Sequence, residues 1–576
     1  MDIQRIAIWL GLAIVSYLMI LAWNEDYHQS PQAPVQEQRQ EGQQQRDSAD
    51  APVGEFEAPD SDQDASTQDE FSIPEDNTAQ DPSNRSGAET PDTGGRSIQV
   101  RTDVLDMDIS LKGGHITRAD LLKHDRTLDS EEPLRLLRND DRITYILESS
   151  LIGRDGPDAT ANAPSPVYEV GSREYRLGEN EDQLVVDLRH ETGNGVTIIK
   201  RYTFERDSYH GKVSYHIENT SDKTWQGNFS GKIVRDESGD PTSQTTMGMR
   251  AYLGMVLSTP ESAYTKYDFD DLKENKVSVS AQGGWIAFLQ HYFMTAWIPN
   301  PEQKHNYQTM QRNGLHVMGF VSPATRVAPG ETAEVGSEFY IGPKIIDRLK
   351  DIAPSLDRTV DFGWLFFISL PLFYIMDWFH SLVGNWGVSI ILLTLLVKTA
   401  FYKLSATSYR SMANMRRVAP QLQRLRDLYG DDKQKMSQEM MALYKKEKIN
   451  PLGGCLPILV QMPVFIALYW VLFESVQLRH APFFGWIQDL SVMDPYFILP
   501  ILMGASMFLQ MQLNPTPPDP IQAKVMKLMP LIFTVFFLWF PAGLVLYWLS
   551  NNILSIAQQY FITKQIEKSQ GKTAKG

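Results

Sequence analysis

The chain is 576 residues long, carries a formal net charge of −16 at pH 7 and has one cysteine, which excludes an intramolecular disulfide framework. Its mean hydropathy of −0.29 averages two unlike halves, because apolar runs long enough to cross a bilayer occur at 6–23 and repeatedly after 385. The charge is equally uneven: residues 24–96 alone hold 18 acidic and 4 basic side chains, so acidity excludes little about the partners of the rest.

The N-terminal stretch "MDIQRIAIWLGLAIVSYLMILAW" has a weak basic head, a long apolar run and no A-x-A site after it. Residues 1–23 are therefore expected to be an uncleaved transmembrane anchor. Residues 24–96, rich in Gln, Asp, Glu, Pro and Ser, have too little apolar surface to offset the entropy of ordering and are expected to form a disordered acidic tether. From 97 to 345 the pattern alternates, as in "QLVVDLRHE", "GVTIIKRYTFE" and "KVSYHIENT", with turn signals at Gly113-Gly114 and Gly193–Gly195. Strands without interleaved helices predict a large β-sandwich. It contains no metal-ligand spacing, nucleophile elbow or phosphate loop, so neither a cofactor nor a catalytic residue is expected; His210 and His216 are expected to be structural. A connector and an interfacial amphipathic helix are expected over 346–385, where "GWLFFISLPLFYIMDWFHSLVG" is interrupted by Pro371, Asp377 and His380.

Five further spans are predicted at 386–406, 455–474, 495–513, 526–540 and 543–562, the last two joined by the tight turn "FPAG". They form a five-helix core over 386–562, followed by a basic tail at 563–576. The 403–450 loop holds 11 Lys or Arg against 5 Asp or Glu, whereas 477–493 offers only Arg479, so this loop and the tail are expected in the cytoplasm. Six spans then place both termini inside and the β-domain outside. The loop reads as a helical hairpin over 407–450, with Pro420 in the first turn of one helix, Asp431 or Asp432 capping the next, and Met436, Met440 and Leu443 on one stripe. It is either a solvated connection or a dock for an anionic partner such as ribosomal RNA.

Lys398 lies inside an apolar helix, where a charge is costly. Thr394, Lys398, Tyr402 and Ser405 share a helical face; Ser506, Gln510 and Asn514 form a second stripe, and Tyr547, Asn551, Ser555 and Gln558 a third, with Gln461 a further buried polar group. Polar stripes biased toward one leaflet predict a wet cavity open to the cytoplasm and closed outward. No carboxylate lies mid-span, which counts against a pore. Gly453, Gly454, Pro457 and Pro463 suit a flexible span. Met462, Met503, Met507, Met511, Met526 and Met529 suit either ordinary packing or a pliable lining for apolar ligands. Cys455 is expected to be a small buried hydrophobe. A transporter or lipid-moving protein using the same cavity stands as the alternative, and a glycan-binding envelope receptor as a third reading.

The stretches "GNWGVSIILLTLLVK", "NPLGGCLPILVQMPVFIALY" and "FFLWFPAGLVLYWLSNNILSIAQQ" closely resemble the YidC family of membrane-protein insertases in its Gram-negative form. The resemblance implies a bacterial inner-membrane, multi-pass insertase and chaperone, not an enzyme, with a periplasmic domain similar to sugar-binding supersandwiches. The fold class expected is thus a polytopic α-helical membrane protein of six transmembrane helices with a large periplasmic β-sandwich. It further implies nascent membrane proteins as substrates, released laterally into the lipid bilayer alone or beside the Sec translocon. Ribosome and signal-recognition targeting machinery would dock at the basic hairpin and tail. The groove is expected to comprise Thr394, Lys398, Tyr402, Gln461, Met462, Phe465, Ser506, Gln510, Tyr547, Trp548 and Asn551. Relatives commonly have arginine at the position of Lys398, and often a second tyrosine at that of Trp548; lysine keeps the charge without the planar fork.

Overall fold

The computed structural model describes residues 97–158, 165–242, 251–429, 432–447, 456–513 and 520–573, giving the backbone alone at 433, 456–459, 520–522 and 567–573. The expected anchor, the tether, Asp431, Gly453, Gly454, Cys455 and Asn514 lie outside the described residues, as does the side chain of Pro457. The described residues fall into two compact units, divided after Val360.

The first unit is built of two antiparallel-rich sheets. The ten-stranded sheet runs Ser278–Gln282, Lys304–Arg312, Leu315–Val327, Trp225–Arg235, Thr144–Ile152, Pro133–Asn139, Ile116–Asp125, Leu105–Ser110, Ser97–Arg101 and Glu174–Arg176. The nine-stranded sheet runs Thr265–Tyr267, Gly254–Ser258, Trp285–Leu289, Phe293–Ile298, Thr332–Pro343, His210–Asn219, Val196–Glu205, Gln183–Glu191 and Glu169–Val170. Their inner faces meet through aromatic pairs such as Tyr145 with Phe288 and Phe229 with Trp297, at 5.4 and 6.0 Å between ring centroids. Two short helices, Phe269–Glu274 and Ile346–Ile352, complete the unit. His210 and His216 face Glu338 and Glu334 across neighbouring strands, a structural setting.

Strand periodicity explains the least expected core residue. In Val196–Glu205, Val196, Ile198, Lys200, Tyr202 and Phe204 occupy the inward row, so a lysine is carried into the interior by alternation alone. Its ammonium donates to Gly113 O and Ser149 O, both at 3.0 Å, and lies 5.2 to 5.9 Å from the ring centroids of Tyr215, Tyr202 and Tyr168. Gly113 and Gly114 adopt positive φ, which turns their carbonyls inward toward Lys200 and Tyr202. The lysine thus ties one sheet to the other. Lys200→Met removes the donor and leaves buried carbonyl oxygens short of a partner, so this unit should lose about 1–3 kcal/mol. A thermal scan of the full-length protein, following near-ultraviolet circular dichroism, reads that loss as a lower Tm.

Beside Lys200, burial pushes the imidazole of His115 down to about 4 from its ordinary 6.5. Between those values the unfolded chain takes up a proton that the folded chain refuses, so stability falls as pH drops from 6.5 toward 4 and is insensitive to this group above 6.5. His115→Gln should flatten that acid limb in denaturation curves recorded from pH 7 to 4 while leaving the neutral end parallel to the parent.

The second unit is helical: Phe366–Val383, Trp386–Ala400, Tyr402–Tyr429, Lys433–Lys446, Leu456–Glu474, Ile498–Gln512, Pro520–Phe537 and Ala542–Thr573. The straight span expected over 386–406 is instead broken at Phe401, and the two helices it joins are bent by 68°. Thr394 and Thr399 both donate to carbonyls four residues back, as do Ser389 before them and Thr407 beyond the break. Gly363–Val383, read from sequence as interfacial, is long and apolar enough to cross a bilayer; the bent pair passes the same criterion together, and Val460–Glu474 and Ile498–Gln512 are apolar but shorter. Trp364, Phe366, Phe367 and Trp378 are exposed along the first of these.

The hairpin forms as expected in kind, but its first helix is continuous from Tyr402, so Pro420 sits within a helix and not at its start. Val418, Leu422 and Tyr444, with Met415, Met440 and Leu443, pack the two helices together. Arg417 pairs with Glu447 at 2.8 Å, and Asp432 caps the second helix by accepting from Lys435 N.

Candidate functional site

One end of the helical unit is closed by the 475–497 loop. Asn385 caps the Trp386–Ala400 helix and donates from Nδ2 to Phe483 O at 3.2 Å. Gly387 is needed there, since a methyl group in its place would overlap the Phe483 ring. Leu490 O and Val492 O accept from Gly543 N and Ala542 N, the otherwise unpaired donors at the start of the last helix. Asp494, wholly buried, accepts from Trp486 Nε1, Tyr496 N and Leu499 N. Inward of this seal, Phe465, Phe537 and Phe533 surround Trp548 at 4.7, 5.2 and 5.9 Å between ring centroids. The end carrying this loop is thereby filled with aromatic rings.

A cavity of about 480 Å³ lies between the helices on the other side of those rings. Its lining comes from Lys398 and Ser405 to Met412, Gln461 to Phe465, Met507 to Met511, Met526 to Phe533, and Tyr547 to Gln559. Lys398 is 5% exposed, and its ammonium donates to Ser555 Oγ at 2.8 Å and to Gln461 Oε1 at 3.3 Å. Ser555 Oγ in turn donates to Asn551 O, and Gln558 Nε2 donates to Lys398 O. Among the described residues the ammonium's partners are hydroxyl and amide oxygens, with no carboxylate, so its positive charge is uncompensated. Gln461 Nε2 and Trp548 Nε1 are buried donors without a partner among the described residues. The cavity therefore combines a cation and spare donors with an apolar wall: it can attract a polar or anionic group while solvating apolar side chains.

Most of the groove positions named from sequence converge here: Lys398, Gln461, Met462, Phe465, Gln510, Tyr547, Trp548 and Asn551 all line the cavity. Three do not. Thr394 is buried with its hydroxyl spent on Ile390 O at 2.6 Å. Ser506 is buried beside the cavity, where it accepts from Asn552 Nδ2 at 3.1 Å and joins two helices. Tyr402 is 45% exposed, because the break at Phe401 takes it off the helix face it was expected to share with Lys398. The same break brings in Ser408 and Tyr409, which the straight-span reading did not reach. Asn552 and Gln559 were also missed. The doublets "NN" and "QQ" were the available signal, since adjacent helical residues diverge by about 100° and broaden a polar stripe into an arc.

Comparison with known proteins bears on the family of the chain. Residues 97–375 match the YidC periplasmic domain family, and residues 378–569 match the 60Kd inner membrane protein family. The membrane protein insertase YidC of Marinobacter nauticus (strain ATCC 700491 / DSM 11845 / VT8) is 65% identical over 98% of this chain and 99% of its own length. That of Hahella chejuensis (strain KCTC 2396) is 55% identical over 98% of each. A crystal structure of an active YidC insertase with its first transmembrane domain resolved covers 81% of this chain and 93% of its own, at 18% identity and a TM-score of 0.37. With both family patterns together spanning the β-rich and helical units, and relatives this similar end to end, the chain belongs to the YidC family of membrane protein insertases.

Proposed function

We propose that the chain is a membrane-protein insertase and chaperone that receives nascent hydrophobic segments in the 398–559 cavity and releases them laterally into the bacterial inner membrane. It does this without covalent catalysis. The observation that carries the reading is the uncompensated ammonium of Lys398, held by Ser555 and Gln461 at the edge of a cavity sealed at one end. A polar or acidic group on the incoming chain gains a charge-assisted partner there, which lowers the cost of its entry part-way into the bilayer. The aromatic seal denies it a path straight through, so the apolar remainder leaves sideways into lipid.

The wider topology follows the same logic. Six transmembrane helices with both termini cytoplasmic would put the β-sandwich in the periplasm and the hairpin in the cytoplasm, in accord with the positive charge of the hairpin. The 366–383 helix, with its exposed aromatic residues, would lie at the periplasmic interface. Exposed Arg410, Arg424, Lys435, Lys445 and Lys446 would meet ribosomal RNA and the signal-recognition machinery, and the Sec translocon would be an optional partner.

Photocrosslinking tests the cavity directly. A crosslinking amino acid at Met462 or Gln510 should capture a ribosome-bound nascent membrane protein, whereas one at Tyr402 should capture far less. Capture equal at all three positions, or absent from Met462 and Gln510, would overturn the assignment.

A further inference from the structure

Six methionines, Met412, Met462, Met507, Met511, Met526 and Met529, line the cavity from four helices. No other described side-chain type supplies as much of its apolar wall. Accessibility sets these sulfurs apart from the six methionines of the packed interiors, and position sets them apart from Met310, Met415, Met436 and Met440, which are half-buried outside the cavity. Met107, Met255, Met294, Met318, Met376 and Met503 are wholly buried, whereas Met462 is 40% exposed and its cavity neighbours are all open to some extent. Met441 in the hairpin and Met493 in the 475–497 loop are more exposed still, at 45% and 48%, but do not line the cavity.

We propose that this methionine wall is a reversible oxidation site through which peroxides control insertion. The inference rests on the insertase reading above. A thioether lone pair takes the electrophilic oxygen of a hydroperoxide; the O–O bond breaks, the sulfur loses two electrons to become a sulfoxide, and hydrogen peroxide leaves as water. Susceptibility follows exposure, so the cavity sulfurs react while the buried ones are spared. The product matters because of where it forms. A flexible apolar thioether becomes a fixed dipole with a strong acceptor oxygen, and an apolar segment pressed against it would strip that oxygen of water without offering a donor. The same oxidation at Met441 or Met493 meets solvent and changes nothing. Reduction of the sulfoxide restores the wall.

The test uses the full-length chain carrying Cys455→Ser, reconstituted in proteoliposomes and treated with limiting hydrogen peroxide. Sulfoxide at each methionine is read by peptide mass spectrometry and insertion of a model membrane protein is read in parallel. Insertion should fall at least fivefold as sulfoxide accumulates at 412, 462, 507, 511, 526 and 529, and should recover on treatment with methionine sulfoxide reductases. The treated-to-untreated ratio should stay near one in a chain with Met→Leu at those six positions, and should lie between that and the parent's in the Met507→Leu/Met511→Leu pair, which serves if six changes impair folding. A Met441→Leu/Met493→Leu chain should remain as sensitive as the parent. Undiminished insertion with sulfoxide present in the wall, or equal sensitivity of the leucine variants, overturns this proposal alone. An untreated chain that inserts nothing overturns the insertase reading and this proposal with it.

Discussion

Lys398→Glu is expected to abolish insertion, whereas Lys398→Arg should retain most of it. The ammonium is an all-donor group whose neighbours, Ser555 Oγ and Gln461 Oε1, present oxygen lone pairs at 2.8 and 3.3 Å. Glutamate supplies only acceptors, so Gln461 must flip its amide and Ser555 must leave Asn551 O, and the cavity changes from attracting anionic groups to repelling them. Reversal of the charge at a buried site of low dielectric outweighs any loss of packing, and a loss of tenfold or more, about 1.4 kcal/mol at least, is the expected size. Arginine keeps the charge and adds donors, for which Gln558 Oε1, a buried acceptor without a partner among the described residues, is available. Lys398→Gln separates the two effects: it keeps a donor without the charge and should fall between them. Growth and substrate insertion in a depletion strain, with expression and Tm checked for each variant, provide the measurement. Equal insertion by the Glu and Arg variants would remove charge from the mechanism.

The second large effect is expected at the sealed end. Asp494→Ala leaves the Trp486 indole and the amides of Tyr496 and Leu499 without the carboxylate that accepts from them at 2.7 to 3.0 Å, in a site with no solvent exposure. Stranding three buried donors costs about 1–3 kcal/mol for each that finds no water, so a destabilisation of about 3 kcal/mol is expected. Asp494→Asn keeps one acceptor oxygen and should lose less. Because the same loop supplies Leu490 O and Val492 O to the last helix and Phe483 to Gly387, the damage should spread to the seal. A cysteine at Met462 in a Cys455→Ser background should then react with a membrane-impermeant maleimide added from the loop side. In the parent chain it should be protected from that side, and protection in the Ala variant would show that the loop does not close the cavity.

These predictions draw unequally on sequence and structure. The β-rich unit was legible because strands obey a period of two: alternation in "GVTIIKRYTFE" marks Lys200 as an inward residue as surely as Ile198 and Tyr202. What alternation does not carry is the partner. That the ammonium ends on carbonyls at Gly113 and Ser149 depends on strands far apart in the chain being brought face to face. In the helical unit the period of 3.6 was legible in part: of its stripes, Lys398 and Ser405, and Tyr547, Asn551 and Ser555, line the cavity, whereas Thr394 and Gln558 do not. It failed at Tyr402. The chain contains no proline or glycine between Val397 and Ser405 to announce a break.

By itself, then, the sequence determined the kinds of element, the residues each turns inward and the uneven distribution of charge, because these follow from local periods and composition. It also carried the family, through three long stretches of the helical core. Only the tertiary structure decided which residues close the outer end, that Thr394 and Ser506 are spent on packing while Ser408, Tyr409, Asn552 and Gln559 face the cavity, and that Lys398 donates to Ser555 and Gln461. Those outcomes depend on helix rotation and crossing, which are set by close packing between segments remote in sequence, and one unforeseen 68° bend is enough to move a side chain from the groove to the surface.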